Sequence, residues 1–270
     1  MIGLGRLVRA RRRNPLVRLG ARLCQRYLDF YENAHNLTDF ARNGEAFVLA
    51  ALQGEPVEHV LDVGANVGDW ARLAATALPD AVVHCFEVFP ETAARLATRV
   101  ADLERVQVNA FGLGRCEGEV RLKVFDEYDV LTTTVDIPHP YALRHASGHL
   151  STGDAYLAGR GLDRVGLVKI DVEGAEYEVL EGLSTALDGG AVEVIQFEYG
   201  TGSIVTKHLL YDYYQLLSRR GYAVGKLYPN YVEFRDYVFE HEDFRAGNFV
   251  AVHRSRADLV DRLGRGLTGR

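Results

Sequence analysis

Short apolar runs recur along the chain, spaced so that a helix fits between most of them. Val60, Leu61 and Val63 make the first run. Ala81 to Phe86, Val106 to Ala110, Val165 to Ile170, Val192 to Phe197, Ala223 to Leu227 and Asn248 to His253 follow. Runs of this length, rich in β-branched residues and bounded by turn signals, predict buried strands of a parallel sheet. Between them the periodicity changes. Asp69 to Ala77, Tyr177 to Leu187 and Leu209 to Arg220 read as helices, the last with Tyr211, Tyr214 and Leu217 at helical spacing. Glu91 to Leu103 places Ala94, Leu96, Ala97 and Val100 on one helical face. Tyr27 to Leu52 also reads as helical and is expected to cover the first strand, while Glu119 to Phe125 alternates like a hairpin strand. Strands alternating with helices predict an α/β fold with helices on both faces of the sheet.

The link between the first strand and its helix carries the first chemical signal. Val57 to Trp70 reads V-E-H-V-L-D-V-G-A-N-V-G-D-W, so Gly64 and Gly68 frame a tight turn. Strand, glycine turn and helix form the first half of a nucleotide-binding βαβ unit. The spacing is Gly-x-x-x-Gly rather than Gly-x-Gly-x-x-Gly, so the dinucleotide fingerprint is not met. A looser turn suits a ligand without phosphates. The second strand ends at Glu87, 23 residues past Gly64. An acid there can accept hydrogen bonds from a ribose diol.

Three ordered segments extend this picture: L-D-V-G-A-N-V-G-D-W, then H-C-F-E-V-F-P-E, then L-V-K-I-D-V-E-G-A-E-Y-E-V-L-E-G. Together they resemble the FkbM family of S-adenosylmethionine-dependent methyltransferases, over roughly residues 43–253. The resemblance implies a Rossmann-like, seven-stranded class I methyltransferase sheet, mostly parallel with the last strand antiparallel. It implies S-adenosylmethionine as cofactor and O-methylation as the usual reaction. It assigns Asp62, Gly64, Ala65, Asn66 and Gly68 of the first segment, and Glu87 and Val88 of the second, to the cofactor. Asn43-Gly44-Glu45 resembles an Asn-Gly-Glu upstream of the cofactor strand, which turns Glu45 toward the methionine end; the alternative is a helix-capping segment. Asn109 and Phe111, at the end of the third strand, fall beside the adenine. Where many relatives carry an acid a few positions on, this chain has Gly114-Arg115, which leaves Phe111 as the stacking candidate. Ser151 to Leu157 and Asp243 to Phe249 resemble two further family segments.

Methyl transfer from a sulfonium needs alignment, a preorganised site and, for an alcohol acceptor, a base. Ligands of open α/β sheets bind at the C-terminal ends of strands, where Asp171, Glu173 and Glu198 fall. Glu198 is the preferred acceptor-side base or orienter, and Asp171 is expected near the methionine moiety or the acceptor oxygen. Helix capping is the alternative for each acid. His208 is a second candidate base, because imidazole titrates near neutrality. A divalent cation on Asp171, Glu173 and Glu198 is a further reading, but no spacing fixes it and no metal is expected. Tyr228, Tyr231 and Tyr237 are candidates for an acceptor pocket, with aromatic core or surface the alternative.

Composition narrows the partners. Net charge is −6, yet residues 1–28 hold eight arginines and no acid; setting that +8 aside leaves −14 on the remainder. An acidic body argues against a nucleic-acid substrate, which wants a basic face. The arm, 1–42, reads as a basic helical extension that Pro15 interrupts. It lacks the apolar h-region of a signal peptide and is a candidate either for peripheral contact with an anionic membrane or for packing on its own domain or a sister subunit. Cys24, Cys85 and Cys116 lack metal spacing and suit a reducing compartment, so a cytoplasmic location is expected, membrane-peripheral if the arm is the part that meets a lipid surface. The methyltransferase domain is expected at 43–254, with an irregular loop insertion at 126–153, a substrate region at 199–246 and a polar tail at 255–270. His139, His145 and His149 in the insertion read as loop residues. The expected acceptor is a hydroxyl on a sugar, a glycolipid or a specialised metabolite. Two rivals are a NAD-dependent oxidoreductase on a similar sheet, which lacks a convincing Tyr-x-x-x-Lys, and a non-catalytic scaffold.

Overall fold

The computed structural model describes residues 2–34, 39–125, 132–136, 138 and 143–266. In chain order the helices are α1 (Ile2–Ala10), α2 (Pro15–Tyr31), α3 (Phe40–Asn43), α4 (Glu45–Ala51), α5 (Asp69–Ala77), α6 (Pro90–Arg99), α7 (Gly153–Arg160), α8 (Glu176–Glu181), α9 (Ser184–Asp188), α10 (Gly202–Thr206), α11 (Leu210–Ser218) and α12 (Ala257–Arg265). The strands are β1 (His59–Val63), β2 (Val82–Phe86), β3 (Val106–Asn109), β4 (Gly112–Leu113), β5 (Gly118–Phe125), β6 (Leu143–Ser151), β7 (Val165–Ile170), β8 (Val192–Tyr199), β9 (Tyr222–Tyr228), β10 (Tyr231–Phe234) and β11 (Gly247–His253).

The main sheet runs β10-β9-β11-β8-β7-β1-β2-β3. From β3 to β8 the strands are parallel, and β11 enters antiparallel between β8 and β9. The seven-stranded order implied by the resemblance is therefore present, with one strand more than expected. The extra strand is β10, a hairpin partner of β9. One face of the sheet packs Val60, Val83 and Leu167 against Leu49 of α4, Trp70 of α5, Leu96 of α6 and Leu259 of α12. The other packs Val168, Ile195 and Phe249 against Leu157 of α7, Leu180 of α8, Leu187 of α9 and Leu217 of α11. Burial on both faces is why these strands are almost wholly apolar.

Several segments differ from expectation. The stretch after residue 254 is not simply a polar tail: α12 buries Leu259 and Leu263, an i,i+4 pair, against the β10 side of the sheet. Leu143–Ser151, expected as irregular insertion, is a strand that pairs antiparallel with β5 from Gly118–Leu150 to Phe125–Leu143. With β4 these strands form a small separate sheet. Thus His145 and His149 are strand residues, while His139 lies outside the described residues. The helix expected over Tyr177 to Leu187 is divided at Gly182 and Leu183 into α8 and α9. Pro15 breaks the arm as expected: it is the first residue of α2, and the Asn14 side chain accepts from the Leu16 N–H at 2.9 Å.

Candidate active site

The sheet order reverses between β1 and β7, and a crevice opens at such a point. Their ends are held very close, since the Asp171 N–H donates to the Val63 carbonyl at 3.0 Å. Gly64 makes this approach feasible. Its φ is +84°, and a Cβ there would lie 1.8 Å from the Asp171 carbonyl oxygen. The N–H groups of Gly64 and Ala65 both donate to the Phe86 carbonyl at 3.0 Å, which ties the turn to the end of β2. A cavity of about 750 Å³ lies over these strand ends, a size that suits a small-molecule site.

Of the expected residues, Glu45, Gly64, Ala65, Asn66, Glu87, Val88, Asp171 and Glu198 line this cavity. Glu87 is buried at the end of β2. Its Oε2 accepts from the Asn66 N–H at 3.0 Å and its Oε1 from the Phe89 N–H at 2.9 Å. The carboxylate thereby fixes the glycine turn while keeping lone pairs for a further donor. Burial raises its pKa, and the two backbone donors oppose that rise. Asn66, a cavity-lining residue, has φ +46°, and its buried Oδ1 has no hydrogen-bond partner among the described residues.

Glu45 follows Gly44, whose φ is +99° and whose missing Cβ would lie 2.4 Å from the Tyr228 carbonyl oxygen. The sharp turn brings Glu45 into the cavity wall. Its Oε2 accepts from Gln196 Nε2 at 2.9 Å, and Oε1 accepts from Asn43 Nδ2. It is thus both a cavity residue and a member of a buried network, so the two readings of Asn43-Gly44-Glu45 are compatible.

Other expected residues lie behind the wall. Asp62 is fully buried, and its Oδ1 lies 3.7 Å from Lys169 Nζ. Burial pushes the Asp62 carboxyl up to about 6, despite that ammonium. Asn109 donates from Nδ2 to the Cys85 carbonyl at 3.0 Å and lies 3.4 Å from the Tyr156 hydroxyl, locking β3 to β2. Phe111 meets Phe86 edge-on, ring centroids 5.7 Å apart, and only Phe86 of the two reaches the cavity. Gly68 starts α5 rather than lining the space. His208 stacks on Tyr177 at 4.1 Å and pairs with Glu178 at 3.3 Å; Glu178, not His208, lines the cavity. Tyr228, Tyr231 and Tyr237 do not line it either. Tyr228 stacks on Tyr231 at 4.8 Å, and the Tyr237 hydroxyl donates to Glu242 at 2.9 Å.

The electrostatics are lopsided. Glu45, Asp171, Glu173, Glu178 and Glu198 face the cavity, while Lys169 lies at its base, 3.2 Å from Asp171. Burial alone would lower the Lys169 pKa, but Asp171, Asp62 and Glu45 hold its ammonium well above the ordinary range. Glu173 is pushed up to about 8 by burial, then by Asp171 and Glu176. Glu198 is raised well above the usual carboxylate range by burial, then by Asp171 and Glu173. Glu173 also holds φ +56°, and its carbonyl accepts from Thr133 Oγ1 at 2.8 Å. A non-glycine residue in that region is a locally strained one, a feature frequent at functional sites. Among the described residues no cluster of His, Cys, Asp and Glu has the arrangement of a metal site.

Lys169, Trp70, Arg115 and Thr132 to Val135 line the cavity without having been candidates. Lys169 carried a signal: a lysine inside an otherwise apolar strand must have charged partners. Thr132 to Val135 fall within the 126–153 stretch and line the cavity.

This site fits an S-adenosyl donor on its own chemistry: buried carboxylates for a cationic ligand, an acid at the end of β2, and an unsatisfied acceptor on Asn66. Comparison with known proteins agrees. The 2-O-methyltransferase NoeI of Sinorhizobium fredii is 27% identical over 173 residues, covering 59% of this chain and 70% of that protein. Methyltransferase 1 of Beauveria bassiana is 26% identical over 195 residues, covering 64% of this chain and 75% of its own. A solved structure described as methyltransferase FkbM from Methylobacillus flagellatus KT is 15% identical, with a TM-score of 0.46. That alignment covers 76% of this chain and 48% of the other, so the chain spans about half its length. Residues 62–224 match the methyltransferase FkbM domain, which sets aside the nicotinamide-dependent reading. The chain belongs to the FkbM family of methyltransferases, whose cofactor is S-adenosylmethionine.

Proposed function

We propose that this methyltransferase methylates a hydroxyl group on a sugar, a glycolipid or a specialised metabolite, with Glu198 deprotonating or orienting the acceptor. S-adenosylmethionine supplies a methyl carbon activated by a sulfonium, which leaves as a neutral thioether. The chain's own work is to bind, to orient and to move one proton. Glu87 is suited to a ribose diol, and Glu45 and Asp171 to a cationic amino acid moiety. Glu198, at the end of β8, is left for the acceptor.

One observation carries the reading. Glu198 is a half-buried carboxyl in the wall of the cavity whose pKa is held well above the usual range by desolvation and neighbouring acids. An alcohol loses its proton as it attacks, and a carboxylate with a raised pKa is a stronger base than an exposed one. The relative named as a 2-O-methyltransferase supports an oxygen acceptor. Thr132, Thr133 and Thr134 add hydroxyl-bearing side chains to the wall, a surface suited to a polyol.

The decisive experiment is mass spectrometry of extracts from cells with and without the gene. The expected result is a set of compounds heavier by one CH₂, about 14 Da, present only with the gene. In the purified protein, Glu198→Gln should slow turnover and leave donor affinity unchanged. A fall in donor affinity instead would move Glu198 into the donor shell. Absence of any methylated product across sugar, glycolipid and metabolite acceptors would favour the scaffold reading.

A further inference from the structure

Helix α2 has 17 residues, and none of them is buried. Leu16, Leu19, Leu23, Tyr27 and Tyr31 are each more than half exposed. At 100° per residue these five fall within an arc of roughly 120° on the helix surface. Arg18 and Arg22 occupy the opposite side, and Arg26 borders the apolar arc. All three are exposed, and among the described residues none pairs with a carboxylate. Before the helix, Arg6, Arg9, Arg11, Arg12 and Arg13 add five more charges.

Among the described residues, the polar side-chain contacts that tie this helix to the domain lie at its C-terminal end. Glu32 accepts from Lys226 Nζ at 2.8 Å, and Asn33 Nδ2 donates to the carbonyls of Asn43 and Leu227 at 3.0 and 3.1 Å. Asp29 lies 3.8 Å from Arg245. The apolar face N-terminal to these contacts therefore stands off the domain.

We propose that α2 is a docking helix for an anionic lipid surface, lying in the interface with its leucines and tyrosines inserted. Charge decides between the occupants. A bilayer bearing anionic headgroups complements eight arginines that have no acid among them. An apolar arc this wide, with Arg26 at its border, where its stem can follow the apolar boundary, and Arg18 and Arg22 on the polar face, is the pattern of an interfacial helix. A second copy of the chain is the poorer match. A zipper seam through Leu16, Leu19, Leu23 and residue 30 requires an apolar side chain at 26, where Arg26 stands, and the alternative register places Gly20 in the seam. Pairing would also bring two arginine-rich arms together. No helix among the described residues is long and apolar enough to cross a membrane, so the contact is peripheral.

The test is co-sedimentation of the full chain with vesicles of phosphatidylglycerol and phosphatidylcholine, against vesicles of phosphatidylcholine alone. Binding should require the anionic lipid and fall with added salt. The Arg18→Gln/Arg22→Gln double variant should weaken it roughly fivefold per arginine. Leu19→Asp/Leu23→Asp should abolish it, with donor affinity unchanged as evidence of an intact domain. Absent or equal binding to the two vesicle types would overturn the proposal, and so would leucine variants that bind like the parent. A parent dimer that Leu19→Asp/Leu23→Asp splits, without vesicle binding, would also overturn it by assigning the face to a second copy.

Discussion

Lys169 Nζ lies 3.2 Å from Asp171 Oδ2 and carries a positive charge into a cavity wall dominated by carboxyls. The same ammonium is 3.7 Å from the fully buried Asp62. Removing it strands Asp62 with no counter-charge and leaves its neighbours repelling one another. Lys169→Met should therefore destabilise the fold by about 3 kcal/mol or more, the scale for breaking a buried pair. Asp62→Asn in the same chain should recover part of that loss, because the stranded charge is gone. Denaturant titration of the two single variants and the double variant checks this; strict additivity would mean that Lys169 and Asp62 do not interact.

Glu87 performs two tasks at once. It braces the glycine turn through Asn66 and Phe89, and it presents acceptor oxygens to the cavity. Glu87→Ala should weaken S-adenosylmethionine binding by ~1 to 3 kcal/mol through lost charge-assisted hydrogen bonds. Glu87→Gln should not be benign, since an amide NH₂ would face one of two backbone N–H donors. Calorimetric titration of both variants, with melting curves as a control, separates donor affinity from loosening of the turn. Unchanged affinity in Glu87→Ala would remove Glu87 from the donor site.

The apolar strands were legible because both faces of this sheet are covered, so β1, β2, β7 and β8 read as near-continuous hydrophobic runs. What was missed depended on partners. β8 runs on through Glu198 and Tyr199 because Asn248 and Gly247 of β11 lie opposite them. β6 contains His, Ser and Gly and lies largely at the surface, and its strand form comes from pairing with β5. α12 had its signal in Leu259 and Leu263, but arginines on the other face made it read as tail. At the site, the glycine turn and the strand-end acids could be found from local spacing. Phe111 and His208 could not be sorted from cavity residues, because each is one layer away, behind Phe86 and Glu178. Lys169 required knowing that β1 brings Asp62 alongside it.

Raised carboxyl pKa values fix the sign of the pH dependence of stability. Asp62 reaches about 6, Glu176 about 7 and Glu173 about 8, each from an ordinary value near 4 to 4.5, with burial the largest cause. Below the unfolded pKa, both states are protonated and the native state bears no charge penalty. As pH rises, the unfolded chain releases these protons first, so the folded state binds more of them and stability falls. The donor-free protein should therefore lose stability steadily between about pH 4.5 and 8, then level off. Melting temperatures across that window test it. Glu173→Gln should flatten the upper part of the curve, since it removes the group titrating nearest pH 8.

The same carboxyls predict that donor binding releases protons. At pH 7, Glu173 retains its proton for most of the time, with a pKa of about 8. A ligand carrying positive charge into this cavity favours the ionised acids, so their apparent pKa values fall and protons leave. Affinity for S-adenosylmethionine should accordingly rise with pH up to about 8 and change little above it. Calorimetry at pH 7 in buffers of different ionisation enthalpy measures the protons released per donor bound. S-adenosylhomocysteine, whose sulfur is uncharged, should release fewer, and Glu173→Gln should lower the count for S-adenosylmethionine. Equal release by both ligands would mean that the sulfonium does not bind beside Glu173, and the acceptor end of the site would have to be sought elsewhere in the cavity.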